Sequence, residues 1–394
     1  MSLSEVGGRP PIVVTIWAHY GPYHLARVAA LEAVGYEVIG FSYSSGSQQY
    51  PFFNDRPIRH ELINDCPKEH VRSLSSFRKT LGLLRTYHPR LVLACGYERP
   101  ETAAALAYAR LHRGGERPVV LVMVENQLDD RSRSALVELV KRRYLRWYDG
   151  FLVGGSTHLA YLEVLGLADR PIGMGYDCVD NRWIASAARE AREQEIRLAG
   201  AEDYFLCVSR MVDRKNLPFL VSAYKRYRDS LPEELQPWNL VLCGDGPARR
   251  EVELAVARNG VADAVVMTGA VSDPGVMANY YAFGSVAILP SAAAEPWGLV
   301  VNEAMAANLP VLVSKRCGSA ADLVAEGRNG FTFDPEDELG LATLMRWMHC
   351  NRDRLPRMGE RSADLVQDFS TEHFAQAVVR VEAEAVRARQ PGRA

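Results

Sequence analysis

A chain of 394 residues with 48% hydrophobic and 24% charged residues has the make-up of a globular protein long enough for two cores. A formal net charge of −2 gives no basis for nucleic acid as a partner. No run reaches the ~18 continuous apolar residues of a membrane span, and the start, MSLSEVGGRPP, lacks the apolar core of a signal peptide.

Short apolar runs alternate with longer amphipathic ones, which predicts parallel α/β units. Strands are expected near 12–17, 36–41, 91–95, 118–124, 150–154 and 171–173. The first leads through His19-Tyr20-Gly21-Pro22-Tyr23-His24 to a helix over Leu25–Val34. Residues 44–72 have no clear periodicity and read as one long connection. Over 136–148, Lys141, Arg142, Arg143 and Arg146 alternate with Leu145, Tyr144, Trp147 and Tyr148. That pattern fits either a helix lying on an anionic membrane surface or a domain helix with a solvated cationic face. Residues 184–201, rich in Ala, Arg and Glu, read as a surface helix or linker at a domain boundary. A second set of strands follows near 204–209, 239–243, 264–268, 285–289, 311–313 and 330–333, then a last helix near 371–388. The expected division is a first domain over 1–183, a linker over 184–201 and a second domain over 202–370. The stretch 371–394 is a carboxyl-terminal helix, expected to pack back on the first domain, with its tail.

Cys66, Cys95, Cys178, Cys207, Cys243, Cys317 and Cys350 are odd in number, scattered and without C-x-x-C. They suit reduced thiols and a cytoplasmic setting.

Two stretches of the second half carry chemistry. The strand ending at Ser209 runs into Arg210-Met211-Val212-Asp213-Arg214-Lys215-Asn216, where cations gather at a helix start as a pyrophosphate clamp requires. A solvated basic turn is the alternative, and Arg214 suits it best. Glu295-Pro296-Trp297-Gly298-Leu299-Val300-Val301-Asn302-Glu303 spans a strand-to-helix junction, the helix expected over 298–307. The free amides at its start, Gly298, Leu299 and Val300, favour phosphate. Two glutamates at this spacing also arise by chance, one solvated and one on a helix surface. Gly244-Asp245-Gly246-Pro247 lacks the third glycine of a dinucleotide fingerprint, since position 249 is Arg, and reads as a tight turn.

The stretch EPWGLVVNEAMA resembles the E-x7-E signature of the retaining glycosyltransferases of family 4 (glycosyltransferase group 1). The resemblance is strong over 204–335 and weak over 1–183. It implies a GT-B fold: two Rossmann-like doubly wound domains facing each other across a cleft. It also implies a retaining, metal-independent hexosyl transfer from a nucleotide-diphosphate sugar as co-substrate, with no cofactor. The acceptor would be a saccharide, a lipid-linked saccharide or a small molecule, in polysaccharide or glycoconjugate synthesis. Arg210 and Lys215 match the cations that bind the donor diphosphate; Glu295 would hold the hexose and Glu303 the ribose. Gly21, Gly269, Ser272 and Gly318 match donor-lining loops, although Gly21-Pro22 and Gly318-Ser319 each stand where the family often has two glycines. Glu125 stands where many members carry a histidine, as a sugar or acceptor contact or as a helix-start acid. His19, His24 and Asp177 are candidate acceptor contacts; a surface or capping role is the alternative for each histidine. Asp180 is a candidate helix cap. A lipid-linked acceptor would place the protein at the inner face of the membrane through 136–148. The competing readings are a non-catalytic nucleotide-sugar-binding subunit and another GT-B enzyme, a sugar phosphorylase or epimerase.

Overall fold

Strands buried on both faces need helices on both sides, and the computed structural model holds two parallel sheets covered in that way. It describes residues 10–45, 58–112, 116–128, 134–195, 197–200, 202–293 and 295–389. The expectations for the first nine residues, for 46–57 within the long connection and for 390–394 in the tail lie outside the described residues. The chain forms two units: residues up to Val179 together with those from Ser370 onward, and Asp180–Phe369.

The first unit orders its strands β3-β2-β1-β4-β5-β6-β7. They are β1 (Ile12–Trp17), β2 (Glu37–Ser42), β3 (Arg59–Leu62), β4 (Leu91–Cys95), β5 (Val119–Val124), β6 (Gly150–Val153) and β7 (Ile172–Met174). Period-two alternation sends neighbouring residues to opposite faces. Val13, Leu93 and Leu121 join one core with Leu25, Val28 and Leu31 of α1 (Pro22–Ala33). Val14, Val92 and Val122 join the other with Leu84 of α2 (Ser73–Tyr87) and Ala105 of α3 (Pro100–Leu111). Leu145 of α4 (Ala135–Leu145) and Leu162 of α5 (Ser156–Val164) complete that second core. Strand β3 lies inside the stretch expected to be one long connection, where it pairs in parallel with β2 as an edge strand.

The second unit begins with α6 (Asn181–Gln194), capped by the Asp180 side chain, which accepts from the Trp183 amide at 2.9 Å. The expected linker over 184–201 is therefore helix as far as Gln194. Arg192 anchors it by donating to the carbonyls of Ala282 at 2.9 Å and Ala307 at 2.6 Å. The sheet order is β10-β9-β8-β11-β12-β13. In chain order the elements are β8 (Tyr204–Val208), α7 (Leu217–Ser230), β9 (Asn239–Cys243), α8 (Arg249–Arg258), β10 (Val265–Gly269), α9 (Pro274–Phe283) and β11 (Val286–Leu289). There follow α10 (Leu299–Ala306), β12 (Val311–Ser314), α11 (Ala320–Leu323), β13 (Gly330–Phe333), α12 (Glu338–Cys350) and α13 (Leu355–Leu365).

The last helix, α14 (Thr371–Ala388), belongs to the first unit. It buries Phe374, Val378 and Val381 in the core shared with α1. Its Glu382, 2% exposed, takes the Tyr36 hydroxyl at 2.6 Å and the Arg90 guanidinium at 2.8 Å. All seven cysteines are free thiols, and four are buried.

Candidate active site

In each sheet the strand order reverses direction once, between β1 and β4 and between β8 and β11. Loops leave such a switch point on opposite sides and open a crevice at the carboxyl ends of the strands. In the second unit those loops are the ones the sequence marks for chemistry.

After β8 the chain makes a tight turn over Asp213–Lys215 and starts α7 behind Asn216. After β11 it passes through Ser291 to Glu295. Lys215 Nζ lies 2.7 Å from Glu295 Oε2, and Arg214 reaches the same oxygen at 3.2 Å. The Ser291 hydroxyl donates to it at 3.2 Å. Lys215 is 8% and Glu295 7% exposed, so this is a nearly dry ion cluster, whereas the Arg214 side chain stays 40% exposed. Arg214 therefore does more than decorate a solvated turn. Two cations against one carboxylate leave one positive charge over, and an incoming anion would balance it. Arg210 is half-buried at the end of β8.

The Glu295 backbone is held on both sides. Its amide donates to Arg316 O at 3.0 Å, and the Gly318 amide donates to Glu295 O at 2.9 Å. Buried Trp297 donates through Nε1 to Asn302 Oδ1 at 2.8 Å, which ties the loop to α10. Gly298 starts that helix at φ +97, and a Cβ there would come within 2.6 Å of Leu289 Cδ2. Only glycine fits this bend, which brings the amides of Leu299 and Val300 to the helix start beside Glu295. Glu303 lies within α10 and accepts from the Tyr281 hydroxyl at 2.7 Å. The Ser319 hydroxyl, in the loop after β12, is buried without a hydrogen-bond partner and would sit 3.7 Å from a Cβ at Gly298. An orphan hydroxyl here is what a bound ligand would satisfy. Gly269 accepts the Gly244 amide at 2.9 Å, joining the end of β10 to the turn after β9, and Ser272 is exposed beyond it.

The first unit gathers a different set. Gly21 precedes α1, and its amide donates to His24 Nδ1 at 3.2 Å, so His24 acts as a local cap. Burial, then Arg27 and His19, hold the His24 imidazole well below its ordinary range; burial and Lys68 lower His19. Arg27, 3% exposed, donates to Cys178 O at 3.2 Å and lies 4.6 Å over the Tyr176 ring. Around it stand Glu125, just after β5, and Asp177, just after β7. Glu125 keeps exposed surface, yet the protein packed around its carboxyl desolvates it and raises it, against Arg27 and the Tyr176 hydroxyl. Burial and then Glu125 raise Asp177 well above the carboxylate range, again against Arg27. Burial pushes the Cys95 thiol, 3.7 Å from the Tyr176 hydroxyl, up to about 12.

Asp177 therefore binds its proton more tightly in the folded chain than in the unfolded one. Its contribution to stability is complete below the unfolded value of about 3.9 and fades as pH rises through the folded value. Asp177→Asn should raise the melting temperature near pH 8 and change it far less near pH 4. Melts at both values check this; an equal shift at each would remove the titration argument.

Arg27, Ser291 and Tyr281 have no role in the sequence analysis, and Ser319 enters it only as the residue in place of a second glycine. Only Arg27 left a local signal, a cation beside Leu25 and Val28 on the apolar face of α1.

Residues 188–364 match the family model described as glycosyl transferases group 1. A sulfoquinovosyl transferase of Arabidopsis thaliana is 30% identical over 185 residues, which is 45% of this chain and 33% of that protein. A GDP-mannose-dependent alpha-(1-6)-phosphatidylinositol monomannoside mannosyltransferase of Mycolicibacterium smegmatis is 27% identical over 223 residues, 55% of this chain and 54% of that protein. The chain thus spans from about a third to about half the length of these curated relatives. Among solved structures, a sucrose-phosphate synthase from Thermosynechococcus elongatus is similar at a TM-score of 0.74 and 20% identity, over 96% of this chain and 100% of that one. HepE of Anabaena, solved in complex with UDP, is similar at 0.71 and 17% identity, over 95% and 99%. These likenesses are of fold, and they cover both sheets.

Proposed function

We propose that this chain, which has the GT-B fold and through residues 188–364 belongs to the group 1 glycosyltransferases, is a retaining hexosyltransferase of the family 4 kind. Its donor is a nucleotide-diphosphate sugar. The observation that carries this reading is the meeting of Lys215, Arg214 and Glu295 at the β8/β11 switch point, with Glu303 one helix further on.

In the proposed reaction the bond between the anomeric carbon and the diphosphate oxygen breaks. An acceptor hydroxyl oxygen bonds to that carbon from the same face, and its proton passes to the departing phosphate. Negative charge grows on the diphosphate as the bond lengthens. Lys215, Arg210 and the first amides of α10 meet that charge already in place, which is electrostatic stabilisation of the transition state. These groups take the part a metal would otherwise play, and no resident cofactor is needed. Glu295, released by Lys215 toward the phosphate, receives hexose hydroxyls. Glu303, oriented by Tyr281, receives those of the ribose. On the acceptor side we assign Glu125, Asp177 and His19, with a saccharide or lipid-linked saccharide as acceptor in polysaccharide or glycoconjugate synthesis. The seven free thiols support a reducing, cytoplasmic setting, and a lipid-linked acceptor would draw the protein to the inner face of a membrane.

Thermal melting with UDP-, GDP- and ADP-sugars tests the donor site. Ligand at 100 times its Kd should stabilise by about 2.7 kcal/mol. No shift with any of them would sink the reading, and a shift without turnover on any acceptor or water would mark a binding subunit instead. Tyr281→Phe removes one charge-assisted hydrogen bond and should weaken donor binding by about 1.5–3 kcal/mol, roughly 10- to 150-fold. Titration calorimetry with the stabilising nucleotide sugar checks it.

A further inference from the structure

Helix α4 is an anomaly in the first unit, because it buries only Leu145. Five of the sixteen exposed large apolar side chains among the described residues fall within 136–147: Leu136 at 70%, Val137 at 55%, Leu139 at 61%, Val140 at 63% and Trp147 at 47%. Leu136, Leu139, Val140, Arg143 and Trp147 follow the three-and-four spacing of one helical face. An apolar stripe of this density has a partner.

Charge says which one. Arg143 is exposed within the stripe, and Arg146 beside it keeps a 42% exposed side chain, 3.5 Å from Asp169. Exposed Arg110 of α3 stacks over the Trp147 ring at 4.9 Å and adds a third cation. Glu138, the acid of the helix, is engaged by Lys141 at 2.9 Å and the Tyr161 hydroxyl at 2.8 Å. A second copy of this face would set arginines against arginines. An anionic surface with an apolar layer beneath it satisfies both halves of the pattern, with tryptophan at the boundary and arginine heads in the phosphate layer.

We propose that α4 and the turn after it dock this protein on a bilayer surface containing anionic phospholipid. Leu136, Val137, Leu139, Val140 and Trp147 enter the headgroup boundary, and Arg143, Arg146 and Arg110 meet the phosphates. Vesicle binding decides this with or without glycosyl transfer, so its failure is separate from failure of the donor site.

The full chain is sedimented with vesicles of phosphatidylcholine alone and of phosphatidylcholine with phosphatidylglycerol. Binding is expected to the mixed vesicles, falling about fivefold for each of Arg143→Gln and Arg146→Gln. It should be lost in Leu139→Glu with Val140→Glu, at an unchanged melting temperature. Equal binding to both vesicle types, or none to either, overturns the proposal. So does loss of binding in inorganic phosphate but not in sodium chloride of equal ionic strength, the mark of a free-phosphate site. Self-association that the Leu139 and Val140 substitutions abolish, without vesicle binding, would assign the face to a second copy.

Discussion

Lys215→Ala is expected to lower turnover of the nucleotide sugar by about 10²–10³-fold, the range for loss of one preorganised group facing transition-state charge. The ammonium sits 2.7 Å from Glu295 Oε2 on a residue that is 8% exposed, so its truncation takes from a nearly dry carboxylate its shortest charge partner. Removing one partner of a buried pair costs about 3–5 kcal/mol when the other is left alone. Here Arg214 and Ser291 still reach the same carboxylate oxygen at 3.2 Å, so the loss of stability should fall below that range. Activity should therefore suffer more than folding. Arg214→Ala makes the contrast, because its 40% exposed side chain forms a screened pair worth about 0–1 kcal/mol. Initial rates with saturating donor, alongside melting curves, separate these cases. Turnover within a few-fold of the parent for both Lys215→Ala and Glu295→Ala, in folded protein, would remove the catalytic assignment.

The central strands of each sheet were legible because burial on both faces writes them as unbroken apolar runs. Val119–Val124 is buried at every position, and the run Val286–Leu289 ends at the junction that the glutamate pair marks. Strand β3, RHEL, has no such signature, since an edge strand with exposed side chains carries only the β2 ladder. In sequence, helix α6 fits either a surface helix or a linker for a related reason. It packs through Ile184, Ala188 and Ala191, and small side chains add little to a hydrophobic pattern while allowing close helix approach. The contact between Tyr281 and Glu303 joins α9 to α10 across 22 residues, and no local spacing encodes it. Motifs showed where ligand-facing groups sit; the groups that orient them came from elements distant in sequence.

Gly244→Ala should cost at least about 4 kcal/mol, more than most single substitutions, although it touches no ionisable group. Gly244 has φ +142, and a Cβ would lie 1.9 Å from Ser209 O and 2.9 Å from Ser209 C. These are backbone atoms, so no rotamer change relieves the clash. The turn is also laced to its neighbours. The Ser209 amide donates to Cys243 O at 3.0 Å, the Met211 amide to Asp245 O at 2.9 Å and the Gly244 amide to Gly269 O at 2.9 Å. An alanine must push out the 209–211 segment, and Arg210 moves with it. The turn with two glycines thus lets the cation-bearing loop lie flat against β9 and serves the chemistry through backbone approach. At about 2–4 °C per kcal/mol for a unit of this size, the melting temperature should drop by roughly 10 °C. Gly260→Ala is the matched control. Its φ is +62, and a Cβ there meets nothing within 4 Å, so it should lose only the backbone term of about 1–2 kcal/mol. Differential scanning calorimetry of both variants reads the difference directly; equal losses would mean that the approach of the two loops contributes nothing beyond the dihedral angle.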